Sequence, residues 1–261
     1  MGDFIAGGCS FTYGHELADD KDGKIPSKKS WAYRLYQMSA MKGDYICTAK
    51  GGAGNSAIAR RVFNAVCNTN PRFVVVMWTF LSRYDWAMPR HHLLEDTRWT
   101  HISPWDTDAG NEEAFRTLKG SQTQGIKWRE RIETFHQTGV KPFAEAIYKH
   151  AANQYHETYL SWKSIIWLQN ILEKKGIRYM FTLADNSLFY HEMQHHKDQD
   201  KFMHNLWREI NFKNWFTFGE RDMGFNQWAI MNDYPIGITH PLDKAHKDAK
   251  MLMKPKFLEL L

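Results

Sequence analysis

The apolar residues of the chain fall into short continuous runs separated by longer amphipathic stretches. The runs predict four strands and a weaker fifth, at 4–6, 45–47, 73–78, 178–183 and about 215–218. The run FVVVMW, at 73–78, is unbroken and rich in β-branched residues, which is typical of a strand buried on both faces. The amphipathic stretches predict helices at about 30–41, 51–66, 142–175 and 202–210, and a last helix from about 242.

Strands that alternate with helices predict a mostly parallel sheet covered by helices on both faces. We therefore expect an α/β fold: a single three-layer α/β/α domain over 1–261, of the flavodoxin-like kind, with five parallel strands. Between about 87 and 140 the periodicity gives way to polar and aromatic residues with scattered glycine and proline. A segment of that length without regular structure is typical of a functional insertion or lid, and it follows the third strand.

Composition narrows the class of protein. With 261 residues, 43% of them apolar, the chain can bury a sizeable core, and no apolar run is long enough to span a membrane. The net charge of +5 is mild and the basic residues are scattered, so we expect no nucleic-acid partner. Three cysteines are too few for a disulfide framework, and the first residues do not resemble a secretory signal. These features favour a reducing compartment.

Three polar blocks lie where predicted strands end or helices begin. GGCSFTYG follows the first strand, AKGGAGNSAIARR follows the second, and ITHPLDKAH precedes the last helix. In open α/β folds the carboxyl ends of parallel strands form one edge of the sheet, and ligands bind there. Acyl transfer requires a serine, a histidine that removes its proton, and main-chain amides that hold the oxyanion. The three blocks together contain these groups.

The order of these blocks resembles the SGNH (GDSL-like) hydrolase superfamily, and GCSFTYG is similar to the first block of uncharacterised bacteriophage and bacterial members. The resemblance implies Ser10 as the nucleophile and His240, in the HP of the last block, as the general base. It also implies an oxyanion hole made by the amide of Ser10 and that of Gly52 or Gly54, with Asn55 beside them. No metal or organic cofactor is implied.

The resemblance suggests the substrate and a viral setting, whereas the composition suggests the other partners and the compartment. The expected substrate is a small-molecule or carbohydrate ester, and no nucleic acid or membrane is expected as a partner. The expected location is cytoplasmic, or the host cytoplasm or the virion if the chain is viral. The sequence leaves the oligomeric state open.

Two departures from the superfamily pattern flank the proposed nucleophile and base. Cys9 stands where an Asp usually precedes the serine, and Gly237 stands where an Asp usually lies three residues before the histidine. A carboxylate such as Asp233 or Asp243 is then expected to orient the imidazole, unless a Ser–His dyad suffices. His246, inside the last predicted helix, is the alternative imidazole.

A third departure follows the third strand. That block usually supplies an Asn, whereas this chain has MWTFLSRYDW. Thr79 or Ser82 can donate a hydrogen bond in its place, and we expect Arg83 or Trp78 to shape the substrate site. A structural ion pair between Arg83 and Asp85 is the plainer interpretation. Losing one oxyanion donor lowers a rate on the order of a hundredfold to a thousandfold, so we expect activity to be reduced rather than absent.

Two alternative functions compete with ester hydrolysis. HEMQH fits the H-E-x-x-H zinc-peptidase motif, with His191 and His195 as ligands, Glu192 as the group that activates water, and Glu209 or Glu220 as the third ligand. The stretch around it is polar and lacks an apolar helix, which disfavours this function. The second alternative is a non-catalytic carbohydrate-binding or virion-associated module, because the Asn of the third block and the Asp before His240 are missing. The aromatic residues of the insertion suit stacking on sugars.

Overall fold

The centre of the protein is a four-stranded parallel sheet. The computed structural model describes residues 2–21, 23–88, 99–107, 140–190 and 200–261. The sheet contains β1 (Asp3–Gly7), β2 (Tyr45–Cys47), β3 (Pro71–Trp78) and β6 (Arg178–Leu183), and a separate antiparallel hairpin contains β4 (Tyr84–Ala87) and β5 (Trp99–Ile102). The parallel strands lie in the order β2-β1-β3-β6, which is the flavodoxin-like order.

Helices cover both faces of this sheet. They are α1 (Ser10–Tyr13), α2 (Trp31–Met38), α3 (Asn55–Asn68), α4 (Val140–His150), α5 (Gln154–Lys174), α6 (Lys201–Arg208), α7 (Phe225–Met231) and α8 (Asp243–Leu260). Within the described ranges, none of them combines the length and the apolar character that a membrane crossing needs.

The two faces of β3 belong to two separate hydrophobic cores. Val74 and Val76 pack in one core with α3 and α5, whereas Phe73 and Val75 pack in the other with α2 and α8. All four side chains are fully buried. Because successive side chains of a strand point to opposite faces, an unbroken apolar strand requires a helical layer on each side. The predicted three-layer α/β/α fold is confirmed.

Two elements differ from their predicted extent. The fifth strand, expected at about 215–218, is reduced to an isolated parallel bridge between Phe181 and Trp215. The single long helix expected before β6 is two helices, α4 and α5. Asn153 separates them, because its side chain accepts a 2.9 Å hydrogen bond from the N–H of His156 and caps the start of α5.

The predicted insertion contains regular structure. Within 87–140 the structure places β5 and the first residue of α4, while 89–98 and 108–139 lie outside the described residues. The hairpin and α4 share a small third core, in which Tyr84 packs with Ile147. The insertion therefore adds a hydrophobic unit beside the main sheet, and its role as a lid stays a prediction.

The connections of β1 and β3 locate the crevice at the sheet edge. β1 leads through α2 to β2 on one side, and β3 leads through α5 to β6 on the other. A ligand crevice forms at such a switch point, outside the carboxyl ends of the two strands. Ser10 follows β1 and Thr79 follows β3, so both blocks lie at the position where this fold binds ligands.

Candidate active site

Ser10 lies just beyond β1, at the first position of α1. The turn between the strand and the helix has no room for a side chain at Gly8. A Cβ there would overlap Thr12 and lie 3.2 Å from the carbonyl oxygen of Met77. Because glycine permits this close approach, the chain turns at once and Ser10 stays at the sheet edge, where it is 8% exposed.

His240 lies against the Ser10 hydroxyl, and its Nε2 is 2.7 Å from Ser10 Oγ. A 2.8 Å hydrogen bond from the Gly237 N–H to the His240 carbonyl closes the loop that carries the imidazole. The ring of Phe11 packs against the imidazole, with 4.8 Å between ring centres. The structure therefore brings together the two residues that the sequence resemblance selected, although 230 positions separate them.

The other side of the imidazole is occupied by Glu16, which the sequence analysis did not select. Glu16 Oε1 lies 2.7 Å from His240 Nδ1. The carboxylate also accepts hydrogen bonds from the Ile238 N–H at 2.5 Å, from the Thr239 N–H at 3.2 Å and from the Thr239 hydroxyl at 2.9 Å. The side chains of Glu16 and His240 are only 9% and 12% exposed, so water competes little with these contacts.

The absence of a side chain at Gly237 makes room for this carboxylate. A Cβ on Gly237 would overlap Glu16 Oε2 and lie 3.2 Å from Leu242 Cδ2. Glu16 thus fills the space next to the position where the superfamily carries its Asp. Its backbone is left-handed, with φ at 67°, a conformation that costs a non-glycine residue roughly 1–3 kcal/mol. Several hydrogen bonds to the carboxylate offset that strain.

The carboxylates predicted to orient the imidazole lie elsewhere. Asp233 is exposed just after α7, and it makes none of the described hydrogen bonds of His240. Asp243 accepts a hydrogen bond from the Ala18 N–H at 3.0 Å and pairs with Lys29 at 3.0 Å. The expectation of Asp233 as the partner of His240 is therefore corrected to Glu16. Glu16 belongs to the segment after α1, which contacts the loop that carries His240. Asp233 lies outside that loop.

The hydrogen bonds of Glu16 determine its charge and the position of the imidazole proton. Burial alone would raise the pKa of Glu16, but the hydrogen bond and charge of His240, with the donors of Thr239, outweigh it and lower the pKa to about 2. The ionised carboxylate can only accept, so the Nδ1 proton of His240 points to it. In the neutral ring Nε2 is then the acceptor, and the Ser10 hydroxyl donates to it.

Because folding lowers the pKa of Glu16, we expect the contribution of this carboxylate to the free energy of unfolding to depend on pH. A carboxyl group whose pKa falls from 4.5 to about 2 on folding stabilises the fold above pH 4.5. That contribution disappears as the pH falls through the folded-state pKa. We expect wild type to lose stability relative to Glu16→Gln as the pH falls from about 5 to about 2. Urea unfolding followed by tryptophan fluorescence measures it, and a pH-independent difference would contradict the assignment.

The glycine-rich block after β2 borders the same crevice. A 3.2 Å hydrogen bond from the Lys50 N–H to the Gly8 carbonyl ties the block to the end of β1. Gly52 has a left-handed φ of 75°, and a Cβ there would meet no atom within 4 Å, so its main chain borders open space. Gly54 is packed instead, since a Cβ there would overlap the carbonyl of Arg83. Of the two glycines, Gly52 is the one whose surroundings leave room for a ligand.

The side-chain amide of Asn55 forms hydrogen bonds in the protein interior, so it is not free to bind a ligand in the crevice. Its Nδ2 donates to the Thr79 carbonyl at 3.1 Å and to Ser161 Oγ at 3.0 Å, and its Oδ1 accepts from the Thr79 N–H at 2.8 Å. Both amide hydrogens are therefore used. The expectation of Asn55 in an oxyanion hole is corrected to a positioning contact that fixes the chain after β3.

Two of the three residues predicted to contact substrate are buried. Trp78 is fully buried and packs edge-on against Phe181, with 5.2 Å between ring centres, so it is a core residue. Thr79 is also fully buried; its hydroxyl donates to Cys9 Sγ at 3.3 Å and accepts from Arg83 Nη1 at 3.2 Å. Neither side chain is accessible to a ligand, so the expectation that Trp78 and Thr79 contact the substrate is corrected. Arg83 remains partly exposed.

The ion pair predicted between Arg83 and Asp85 is replaced by another. Arg60 holds Asp85 with two hydrogen bonds of 2.8 Å and 3.1 Å. His101 adds a contact of 3.4 Å between its Nδ1 and Asp85 Oδ1. These contacts connect the β4–β5 hairpin to α3. Asp85 pairs with Arg60, and Arg83 instead contacts other groups.

The alternative imidazole is structural. His246 is fully buried in α8, and its Nδ1 accepts a 3.1 Å hydrogen bond from the Trp31 N–H at the start of α2. Burial lowers the pKa of His246 to about 3, so this ring is neutral. The zinc-peptidase motif at 191–195 lies outside the described residues. In the part of the chain that the structure does describe, no group of three or more His, Cys, Asp or Glu is arranged to hold a metal ion.

Comparisons with known proteins give likeness at the level of structure. No family model matches the chain, and no curated protein matches it. The chain is similar to an esterase from Pseudoalteromonas sp., with a TM-score of 0.48 and 9% identity over 99% of this chain and 98% of that chain. It is similar to a lipolytic protein of the G-D-S-L family from Veillonella parvula, with a TM-score of 0.42 and 11% identity over 100% and 98%.

A third similar structure is a GDSL-like lipase from Bacteroides thetaiotaomicron, with a TM-score of 0.41 and 12% identity over 99% of this chain and 89% of that chain. The names of the second and third of these proteins contain GDSL, the name of the superfamily that the sequence blocks resemble. Likeness at this level carries no conclusion about activity. The function is therefore argued from the contacts of Ser10, His240 and Glu16.

Proposed function

We propose that the chain is a serine hydrolase that cleaves carboxylic esters through an acyl-enzyme. The observation that carries the proposal is the continuous line of hydrogen bonds from Ser10 through His240 to Glu16, each link 2.7 Å long. A nucleophile, a base and a carboxylate that orients the base are the groups that activate a serine hydroxyl. Glu16 supplies the carboxylate that the superfamily pattern places at the position of Gly237 and that this chain lacks there.

The proton moves along this line during the reaction. Ser10 Oγ bonds to the carbonyl carbon of the ester while His240 Nε2 takes the hydroxyl proton, and Glu16 stabilises the resulting imidazolium. The tetrahedral intermediate then expels the alcohol, whose oxygen receives the proton from Nε2. Water attacks the acyl-enzyme in the same way, which releases the carboxylic acid and restores the Ser10 hydroxyl.

The developing oxyanion is held by main-chain amides. Ser10 is the first residue of α1, and an N–H at that position has no acceptor within its own helix. We assign the second donor to Gly52, because the space around its Cα is open and the hydrogen bond from Lys50 to Gly8 ties its block to the end of β1. Two main-chain amides provide the electrostatic stabilisation that acyl transfer needs. They take the place of the Asn side chain that the third block of this chain lacks.

The alternative of a non-catalytic module is disfavoured by Glu16. The absence of the Asn of the third block and of an Asp before His240 suggests that alternative, and Glu16, from the other end of the chain, supplies the second of these groups. An acylated carbohydrate as substrate stays a prediction, as does the resemblance to bacteriophage members. Of the five Phe and Trp residues between 87 and 140, three lie outside the described residues (Phe115, Trp128 and Phe135), whereas Trp99 and Trp105 lie within them.

Covalent labelling tests the proposal directly. We expect a fluorophosphonate to add one phosphonyl group to the wild-type protein, at Ser10 in peptide mapping by mass spectrometry, because the activated hydroxyl attacks phosphorus as it attacks a carbonyl. Ser10→Ala should remain unlabelled. The matched control is Ser56→Ala, which removes a neighbouring hydroxyl that contacts Ser164 Oγ at 3.1 Å and should label like wild type. Absence of wild-type labelling, or labelling at Ser56, would overturn the proposal.

A further inference from the structure

Arg83 is a partly exposed arginine that has no carboxylate within ion-pair distance among the residues that the structure describes. Its Nη1 donates a 3.2 Å hydrogen bond to Thr79 Oγ1, and its guanidinium carbon lies 4.9 Å from the centre of the Phe80 ring. Arg60, by contrast, uses two donors on Asp85. A guanidinium has five N–H donors, so most of those of Arg83 are available to an acceptor outside the protein.

One set of contacts joins this guanidinium to the nucleophile. Thr79 Oγ1, which accepts from Arg83, donates to Cys9 Sγ at 3.3 Å, and Cys9 immediately precedes Ser10. The main chain of Arg83 also packs against Gly54 in the block after β2. Arg83 therefore belongs to the same sheet edge as the nucleophile and the glycine-rich block.

A second set of contacts joins the guanidinium to the base. Arg83 stacks on Phe80, whose ring centre lies 6.3 Å from that of Phe11. Phe11 in turn packs on the imidazole of His240 at 4.8 Å. The stacking on Phe80 and the hydrogen bond to Thr79 hold the guanidinium in one orientation. The Arg83 side chain therefore loses less conformational entropy when it binds a ligand.

We propose that Arg83 binds a carboxylate carried by the substrate, so that the preferred esters are anionic. This inference rests on the proposed function, because it names the substrate class of the same site. A planar guanidinium matches the two oxygens of a carboxylate and forms charge-assisted hydrogen bonds with them. The plainer interpretation, an internal ion pair of Arg83 with Asp85, does not match the described contacts, in which Asp85 pairs with Arg60 and His101.

A charged and a neutral substrate with the same scissile bond test this inference. 3-Acetoxybenzoate carries a carboxylate meta to its acetoxy group, and its methyl ester carries no charge; the release of acetate is measured for both. We expect Arg83→Met to lower kcat/KM for 3-acetoxybenzoate by roughly tenfold to a hundredfold, the usual effect of a charge-assisted hydrogen bond. The change for the neutral methyl ester should stay within about threefold. Arg83→Lys should recover part of the loss, since it keeps the charge but not the planar pair of donors.

The control variant is Arg178→Met, which removes the same charge from an exposed position at the amino end of β6. Ser10 lies at the carboxyl ends of the strands, so this position is at the other end of the sheet. It should leave the ratio of the two kcat/KM values unchanged. If Arg83→Met slows both substrates equally, the arginine does not select anionic esters and this inference is overturned while the proposed function stands. If wild type hydrolyses neither substrate, the proposed function fails, and the inference fails with it.

Discussion

Replacing Ser10 by alanine is expected to lower kcat/KM for 4-nitrophenyl acetate by roughly 10⁴-fold to 10⁶-fold. The substitution removes the atom that would bond to the carbonyl carbon and leaves the fold intact, because Ser10 lies at the crevice edge and its side-chain contact is with His240. We expect His240→Ala to cause a loss of the same order. Initial rates at several substrate concentrations, corrected for spontaneous hydrolysis, measure both effects.

The two substitutions should also be strongly non-additive. If Ser10 and His240 act as one unit, the double variant loses about as much activity as either single variant. His150→Ala is the matched control, because it removes an exposed histidine at the end of α4 and should retain wild-type rates. Equal rates for wild type, Ser10→Ala and His240→Ala would reject the mechanism, since the hydrolysis would then come from another site.

Replacing Glu16 by glutamine is expected to lower kcat by roughly 10²-fold to 10⁴-fold with little change in KM. Glutamine can present an N–H to His240 Nδ1, which favours the wrong tautomer and removes the charge that stabilises the imidazolium. Asp233→Asn, at the carboxylate predicted from sequence, should behave like wild type because Asp233 is exposed and makes no described contact with the ring. The opposite ranking of these two variants would show that Glu16 does not orient the imidazole.

Gly237 offers a second test of the same carboxylate. In the wild-type background Gly237→Asp should lower activity, because the new side chain overlaps Glu16 Oε2. In a Glu16→Gly background the same change should restore at least about tenfold of the lost activity, since contacting residues show coupled effects. Glycine also suits the left-handed φ of 67° at position 16. Additive losses in the double variant would show that the two positions do not share one carboxylate site.

Local sequence signals predicted most of the fold. The strands at 45–47 and 178–183 have the predicted bounds, because an apolar run flanked by polar residues leaves few alternatives. The break before α5 carries a signal that the periodicity hid, since Asn153 is a typical N-cap residue. The weak fifth strand shrank to one bridge because single-strand propensity does not decide whether a neighbouring strand pairs with it.

The candidate site was predictable only in part. Ser10 and His240 could be selected because each lies in a recognisable block at the end of a strand or before a helix. Trp78 and Asn55 were misplaced, since a tryptophan or an asparagine next to a strand end can face either the crevice or the interior. Glu16 carries one signal in the sequence: it is a carboxylate six residues after the nucleophile, two positions beyond the end of the first block.

The sequence by itself determined the order of strands and helices, the glycine turn after β1 and the two residues expected to exchange a proton. The tertiary structure decided which carboxylate meets the imidazole, because Glu16 and His240 are 224 positions apart and come together only through the packing of the first block against the histidine loop. It also decided that Arg83 has no carboxylate partner within the described residues, since Asp85 pairs with Arg60 of α3. Periodicity and local motifs fix what a segment becomes, whereas contacts between distant segments depend on how the layers pack.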